Sequence, residues 1–157
     1  MSEHFSTADL YDEFGDRLQS VTTQFQNLGG RARFSGPVRT VRCFRDNALL
    51  KSVLGTPGDG AVLVIDGGGA LESALVGDLI AALAVRHGWA GLVVHGVIRD
   101  RVEIGGLPIG VKALGSNPRK SGKTGEGELD VVVGFGGAIF RPGAMLYSDE
   151  DGILVER

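Results

Sequence analysis

Residues 61–100 read AVLVIDGGGALESALVGDLIAALAVRHGWAGLVVHGVIRD, and the pattern of this stretch decides the fold. Ala61–Ile65 is a short continuous apolar run that ends at Asp66-Gly67-Gly68-Gly69. Such a run reads as a strand buried on both faces. A helical pattern follows from Ala70 to about His87, interrupted at Gly77-Asp78. Gly91–His95 is the next apolar strand and ends at Gly96. Strand, helix, strand with apolar strands is the mark of a parallel crossover unit. It predicts an α/β protein whose ligands lie beyond the carboxyl ends of its strands.

Working outward, residues 6–14 predict a short helix, capped by Ser6 or Thr7, with Leu10 and Phe14 on one face. Residues 15–37 are polar and irregular, with turns expected at Gly29-Gly30 and Gly36-Pro37. Val38–Phe44 predicts a strand, although neither of its faces is cleanly apolar. Asp46 is expected to cap a helix running to about Leu54, with Leu49, Leu50 and Val53 inward. Downstream, Ile109–Leu114 predicts a strand, and residues 115–128 form a loop rich in Gly, Ser and Lys. Loops of that length are usually functional or mobile. Short strands are expected at Asp130–Phe135, Ala138–Phe140, Met145–Ser148 and Ile153–Val155, with a hairpin turn at Gly136-Gly137. No repeat or linker divides residues 1–157, so one mixed α/β domain is expected, with crossover units first and a β-rich part later.

Composition excludes several classes. The chain has 157 residues, 43% of them hydrophobic, enough for one packed core and too apolar for disorder. Sixteen basic and 19 acidic side chains give a net charge of -3, so no basic field announces nucleic acid. A local patch at Arg119, Lys120 and Lys123 reads as a solvated loop. The single cysteine, Cys43, excludes an internal disulfide and reads as a buried thiol. The 26 glycines follow no three-residue period, which excludes collagen; they gather at the ends of apolar runs as turns and close approaches. No signal segment precedes the first helix and no apolar run is long enough for a bilayer. The expectation is a soluble cytoplasmic protein with no membrane contact.

Two polar pairs stand where chemistry is expected. Gly77-Asp78 falls at the helical break, where Gly77 lets the chain turn and Asp78 caps a second helix. The first-turn amides of Leu79 and Ile80 then lack intrahelical acceptors and attract a carboxylate or oxyanion. The alternative is a tolerated helix glycine beside a solvated acid. Arg99-Asp100 follows the Gly91 strand, at the end where α/β folds place ligands. Arg99 can grip a carboxylate with its fork of donors, and Asp100 can ligate a hard ion such as magnesium. The alternative is a salt-bridged pair capping the next helix. Together the pairs suggest metal-assisted chemistry on a small oxo-acid.

Other candidates are weaker. Asp66 and Glu72 read as structural or solvated acids, His87 as a helix-end residue, and His4 as part of a frayed terminus. His95 is either supporting the site or a core histidine with internal bonds. No HExxH or CxxC supports zinc. Asp66-Gly67-Gly68-Gly69 lacks GxxxxGK[ST] and a complete GxGxxG, and Gly122-Lys123-Thr124 matches only the tail of a Walker motif. Ser73 and Ser121 lack a nucleophile elbow. Lys51, Lys112, Lys120 and Lys123 are available to a Schiff-base mechanism, and only Lys112 reads as strand-borne.

Six blocks carry a family resemblance: Phe25–Phe34 (FQNLGGRARF), Thr40–Leu50 (TVRCFRDNALL), Val62–Gly69 (VLVIDGGG), Ala74–Ile80 (ALVGDLI), Gly91–Asp100 (GLVVHGVIRD) and Asp149–Ile153 (DEDGI). In this order they resemble the family of the regulator of ribonuclease E activity A and the class II 4-hydroxy-4-methyl-2-oxoglutarate aldolases, over nearly the whole chain. The resemblance implies a single-domain α/β fold, a β/β/α sandwich of the swivelling-domain kind. It implies a homotrimer or dimer of trimers with clefts at subunit boundaries. The aldolase signature is an aspartate, twenty intervening residues, then Arg-Asp, and Asp78 precedes Arg99-Asp100 with that spacing. The resemblance therefore implies that Asp100 holds a divalent cation, Mg2+ or Mn2+, partly through water. Arg99 and the amides around Gly77, Asp78, Leu79 and Ile80 would bind the 2-oxo acid, and Asp78 would position water. The implied reactions are retro-aldol cleavage of 4-hydroxy-4-methyl-2-oxoglutarate to two pyruvates and decarboxylation of oxaloacetate. The other implied role is a non-catalytic, protein-binding regulator of an RNase E-type endoribonuclease. The family's larger aldolases have a C-terminal acidic contribution, which this chain, reading to Glu156-Arg157, is expected to lack. No methyl-donor loop is visible.

Overall fold

The strand at Phe34–Arg42 organises the protein, because its two halves pair with different partners. The computed structural model describes residues 4–157. Along the chain lie α1 (Thr7–Phe14), β1 (Leu18–Ser20), β2 (Gln26–Asn27), β3 (Phe34–Arg42), α2 (Ala48–Leu54), β4 (Val62–Asp66), β5 (Ala74–Val76), α3 (Asp78–Arg86) and β6 (Gly91–Ile98). The second half holds α4 (Arg101–Gly105), β7 (Gly110–Ser116), β8 (Glu128–Leu129), β9 (Val133–Phe135), β10 (Ala138–Phe140), β11 (Met145–Asp149) and β12 (Gly152–Glu156).

Phe34–Pro37 of β3 pairs antiparallel with β11, and Val38–Arg42 pairs parallel with β4. The main sheet runs β1-β12-β11-β3-β4-β6-β7-β2, with β5 added beside β6 and β8 beside β3. β3, β4, β6 and β7 are parallel, as the apolar runs predict. Both faces of this parallel part are covered, which is why its strands do not alternate. Leu63, Ile65, Leu92 and Val94 join one core with Leu50, Val53, Leu54, Ile80, Ala81 and Ala84 of α2 and α3. Val62, Val64 and Val93 point the other way, into a second core with Phe135, Phe140, Leu146 and Val155. The result is the mixed α/β fold with two β layers and one helical layer that the resemblance implies. Burying each such aliphatic side chain contributes roughly 1.5–3 kcal/mol.

Several expected boundaries move. β3 begins at Phe34, so Gly36-Pro37 is strand and not a turn. Pro37 stands where β3 leaves β11 for β4, a place where its missing N–H disrupts no continuous ladder. Residues 70–76 are not helical: Ala74–Val76 is β5, paired in parallel with β6 at Val97 and Ile98. A non-local partner outweighs the local helical period there. The strand from Gly91 runs on through Gly96 to Ile98. The helix after Asp46 begins at Ala48 with Asn47 at its cap position, while Asp46 Oδ1 accepts from the Ala48 amide at 3.2 Å. Elsewhere α1 has the expected cap, Ser6, whose side chain accepts from the Asp9 amide. The β9–β10 hairpin turns at Gly136-Gly137, with φ of +61° and +75°.

Candidate functional site

The β5–β6 pairing builds the site. Ala74 lies opposite Val97 and Val76 opposite Ile98, and the Arg99 amide donates to the Val76 carbonyl at 2.9 Å. The residues leaving β5, Gly77-Asp78, are therefore neighbours of the residues leaving β6, Arg99-Asp100. The twenty residues between Asp78 and Arg99 are helix α3, its return turn and β6. The sequence spacing is the length of one crossover.

Gly77, not Asp78, takes the cap position of α3, and Asp78 is the first helical residue. The reason lies in the neighbouring carboxylate: Asp100 Oδ2 accepts from the Asp78 amide at 3.0 Å and does the capping from outside the helix. Arg99 Nε lies 3.9 Å from the same oxygen, and Arg99 Nη1 donates to the Pro118 carbonyl at 3.4 Å. A Cβ on Gly77 would lie 2.9 Å from Asp100 Oδ2 and 3.4 Å from Arg99 Nε. Only glycine lets the helix start approach this closely. Asp100 itself is left-handed, at φ 58° and ψ 44°, a strained conformation that aspartate tolerates better than most residues. Its carbonyl accepts from Ile104 N at 2.9 Å and opens α4.

Gly77, the Asp78 backbone, Arg99 and Asp100 are thus brought together. The Asp78 carboxylate makes no hydrogen bond or ion pair among the described residues. In the first turn of α3 the Leu79 side chain is 79% exposed and Ile80 is buried. The site is an open ledge, with the Arg99 and Asp100 side chains 42% and 35% accessible. Leu71, Leu79 and Val102 are exposed apolar side chains on the segments that flank it.

Among the described residues no group of three or more His, Cys, Asp or Glu is placed to hold a metal ion. Asp100 spends Oδ2 on the Asp78 amide, and Oδ1 is engaged in no hydrogen bond among the described residues. One carboxylate oxygen beside solvent suits magnesium or manganese, which keep waters and borrow ligands from substrate.

Asp66, His95 and Glu72 have partners of their own. Asp66 Oδ1 lies 3.4 Å from His95 Nδ1 and accepts from the Gly68 amide at 3.0 Å. Its carboxyl is held below the usual range, mainly by His95, against the effect of burial. His95 is part-buried and stacks on Phe135 with ring centroids 4.4 Å apart. Gly67 and Gly69 amides both donate to the His95 carbonyl, which closes the glycine loop on itself. Glu72 pairs with Arg45 at 2.8 Å. His87 is the cap residue at the end of α3. Cys43 is buried, and burial pushes its thiol up to about 12, with Asp46 and Asp66 adding to the effect. Lys112 is also buried; its Nζ donates to the Asp149 carbonyl at 2.7 Å, and burial pulls its pKa down.

Sequence reasoning missed the part played by residues 117–125. Pro118 receives Arg99, and Asn117 Nδ2 donates to the Leu71 carbonyl at 2.9 Å. The signal was the unusual length of this loop. A cavity of about 520 Å³, lined by residues that include Arg31, Arg33, Asp59 and Ala90, lies at the amino ends of β4 and β6 and so is separate from the ledge.

The RraA-like family model, described as Aldolase/RraA, matches residues 7–155. The chain belongs to the RraA-like family. It is similar to a Geobacillus kaustophilus protein described as S-adenosylmethionine:2-dimethylmenaquinone methyltransferase, with 49% identity over 97% of this chain and 94% of that one, and a TM-score of 0.95. It is also similar to the RNA-processing inhibitor RraA from Thermus thermophilis, with 46% identity over 98% and 93% of the two chains and a TM-score of 0.94. Streptomyces coelicolor RraAS2, an unusual member of the RNase ES inhibitor RraA family, matches at 28% identity over 99% and 81%, with a TM-score of 0.77. No helix among the described residues is long and apolar enough to cross a membrane.

Proposed function

We propose that the ledge binds the 2-oxo-carboxylate end of a small oxo-acid and cleaves its carbon–carbon bond with a divalent cation. The substrate class is the 4-hydroxy-2-oxo acids, with 4-hydroxy-4-methyl-2-oxoglutarate giving two pyruvates and oxaloacetate decarboxylated as a side activity. The observation that carries this reading is the shared contact of the Asp78 amide and the Arg99 guanidinium with Asp100 at the carboxyl ends of β5 and β6.

Asp100 would hold Mg2+ or Mn2+ through its uncommitted oxygen, and the ion would supply positive charge where the enolate develops. Arg99 pairs with the substrate carboxylate. The amides of Leu79 and Ile80, at the start of α3, orient the oxo-acid. Asp78 positions the water that takes the proton from the 4-hydroxyl. The C3–C4 electron pair then passes into the enolate, which is protonated to pyruvate. Oxaloacetate loses carbon dioxide through the same enolate. A homotrimer or dimer of trimers would cover Leu71, Leu79 and Val102 and turn the open ledge into a cleft. Methyl transfer is not proposed, because the amides of Gly67, Gly68 and Gly69 are all spent within the chain.

The test is pyruvate release from a panel of 4-hydroxy-2-oxo acids and oxaloacetate, with and without Mg2+ or Mn2+. Metal-dependent product supports the reading, and none across the panel rejects it. A second reading rests on the 46% identity with the Thermus RNA-processing inhibitor. In it the chain regulates an RNase E-type endoribonuclease through its surface and needs no metal. Titration with such a nuclease distinguishes the two, since association that survives chelation of metal favours the regulator.

A further inference from the structure

The loop between β7 and β8 carries Arg119, Lys120 and Lys123, and it is fastened more firmly than a solvated loop requires. Buried Asp46 accepts from Thr124 N at 2.5 Å, Thr124 Oγ1 at 2.8 Å and Gly125 N at 3.1 Å. Its carboxyl stays below the usual range: burial opposes this, and the Thr124, Ala48 and Gly125 bonds outweigh burial. Ser121 Oγ donates to the Ala74 carbonyl at 2.7 Å and lies 3.0 Å from Ser73 Oγ. The Ala74 amide donates to the Arg119 carbonyl at 2.7 Å. Residues 119–121 are therefore bonded to β5, whose continuation is Gly77-Asp78. Arg119 also follows directly on the carbonyl that Arg99 touches.

The Arg119 and Lys120 side chains are exposed and form no ion pair or hydrogen bond among the described residues. Lys123 differs, because its Nζ reaches Asn47 Oδ1 at 3.4 Å. Two unengaged cations are thus carried on a loop whose backbone is bonded to the strand that leads into the ledge. Charge gives them a task. With the divalent cation on Asp100, the two acids, Arg99 and the ion sum to a single positive charge, which balances one substrate carboxylate and leaves a second unanswered. Arg119 and Lys120 supply positive charge for that second carboxylate.

We propose that Arg119 and Lys120 form a subsite for the distal carboxylate of a 2-oxo dicarboxylate, and so set substrate preference. The subsite rests on the reading that the ledge binds the 2-oxo-carboxylate end. Arg99 answers the first carboxylate and the loop cations answer the second. Asp46 and Ser121 fix the backbone from which the two cations reach.

The test is calorimetric titration in Mg2+ with two uncleavable ligands of equal length. 2-Oxoglutarate carries the distal carboxylate, and 2-oxopentanoate has a methyl group there. The wild type is expected to prefer 2-oxoglutarate by on the order of tenfold, the value of one solvated charge-assisted contact. The double variant Arg119→Ala/Lys120→Ala is expected to erase that preference while its 2-oxopentanoate affinity holds. Arg99→Ala is expected to weaken both ligands. A preference that persists in the double variant, or none in the wild type while 2-oxopentanoate binds, overturns the subsite alone. Failure of the wild type to bind either ligand overturns the ledge reading and the subsite with it.

Discussion

Gly77→Ala is the sharpest perturbation of the ledge, because its effect follows from one distance. The added Cβ would sit 2.9 Å from Asp100 Oδ2, 3.4 Å from Arg99 Nε and 3.5 Å from Arg99 Cγ. Carbon and oxygen do not approach that closely without displacement. The backbone of Gly77 is extended, at φ -114° and ψ -172°, so alanine causes no strain of its own. The Asp100 carboxylate has to yield, and it loses its 3.0 Å bond from the Asp78 amide. A charge-assisted bond contributes about 1.5–3 kcal/mol, and exposure of about a third of Asp100 cuts that to roughly 1 kcal/mol. For a chain of this size such a loss lowers Tm by about 2–4 °C. Binding suffers more, since the Asp100 carboxylate leaves its position beside Arg99. Affinity for a 2-oxo acid in Mg2+ is expected to fall at least about tenfold, as a displacement of this kind disturbs every contact of the bound group. Calorimetric titration and thermal melting on the same sample read both effects. Wild-type affinity in Gly77→Ala would refute the reasoning. So would a Tm drop above about 10 °C, because the clash would then not be local to the ledge.

Arg99→Lys replaces a fork with a point charge and should raise KM for oxo-acids while leaving Tm within a degree or two; an unchanged KM would count against Arg99 as the carboxylate partner. Asp149 links the start of α1 to the β11–β12 turn through Thr7 N at 2.8 Å and Thr7 Oγ1 at 2.6 Å. Burial pushes its carboxyl up, but the Thr7, Asp151 and Gly152 bonds win and hold it below the usual range. A depressed folded pKa gives stability that is complete above the unfolded value of about 3.9 and lost as pH falls through the folded one. Asp149→Asn should therefore be less stable to urea at pH 7 by about 1–2 kcal/mol, and the gap should close in acid; a gap independent of pH contradicts this. Cys43, with its thiol pushed up to about 12, should resist a disulfide-exchange reagent at pH 8 until denaturant is added, whereas rapid modification of the native protein would show an accessible thiolate.

The parallel core was legible because burial on both faces leaves unbroken apolar runs, such as Ala61–Ile65 and Leu92–Val94. Ala74–Val76 was not legible as a strand. Three apolar residues between Ser73 and Gly77 fit a helical period as well, and only the distant Val97 and Ile98 decide between them. β3 hid its start for a different reason. Its first half belongs to an antiparallel pair and its second to a parallel one, so no single alternation runs through it. The Gly36-Pro37 signal marks the change of partner and not a chain reversal. At the ledge, Gly77-Asp78 and Arg99-Asp100 stood out by residue type and by their places at an expected helical break and strand end, and the spacing that joins them came with the family resemblance. The role of Gly77 as the space for Asp100 depends on a close approach that no local pattern encodes. The pinned loop was likewise hidden, because Asp46 and Thr124 are 78 positions apart.

The most direct measurement compares pyruvate release by the wild type and Asp100→Asn from 4-hydroxy-4-methyl-2-oxoglutarate, each with Mg2+ and with chelator. Asparagine is about as tolerant of the left-handed backbone at this position, so the fold is kept. The account predicts release by the wild type only with metal, and none above background by the variant. Equal rates in the two proteins, or a wild-type rate that chelation leaves untouched, would contradict it.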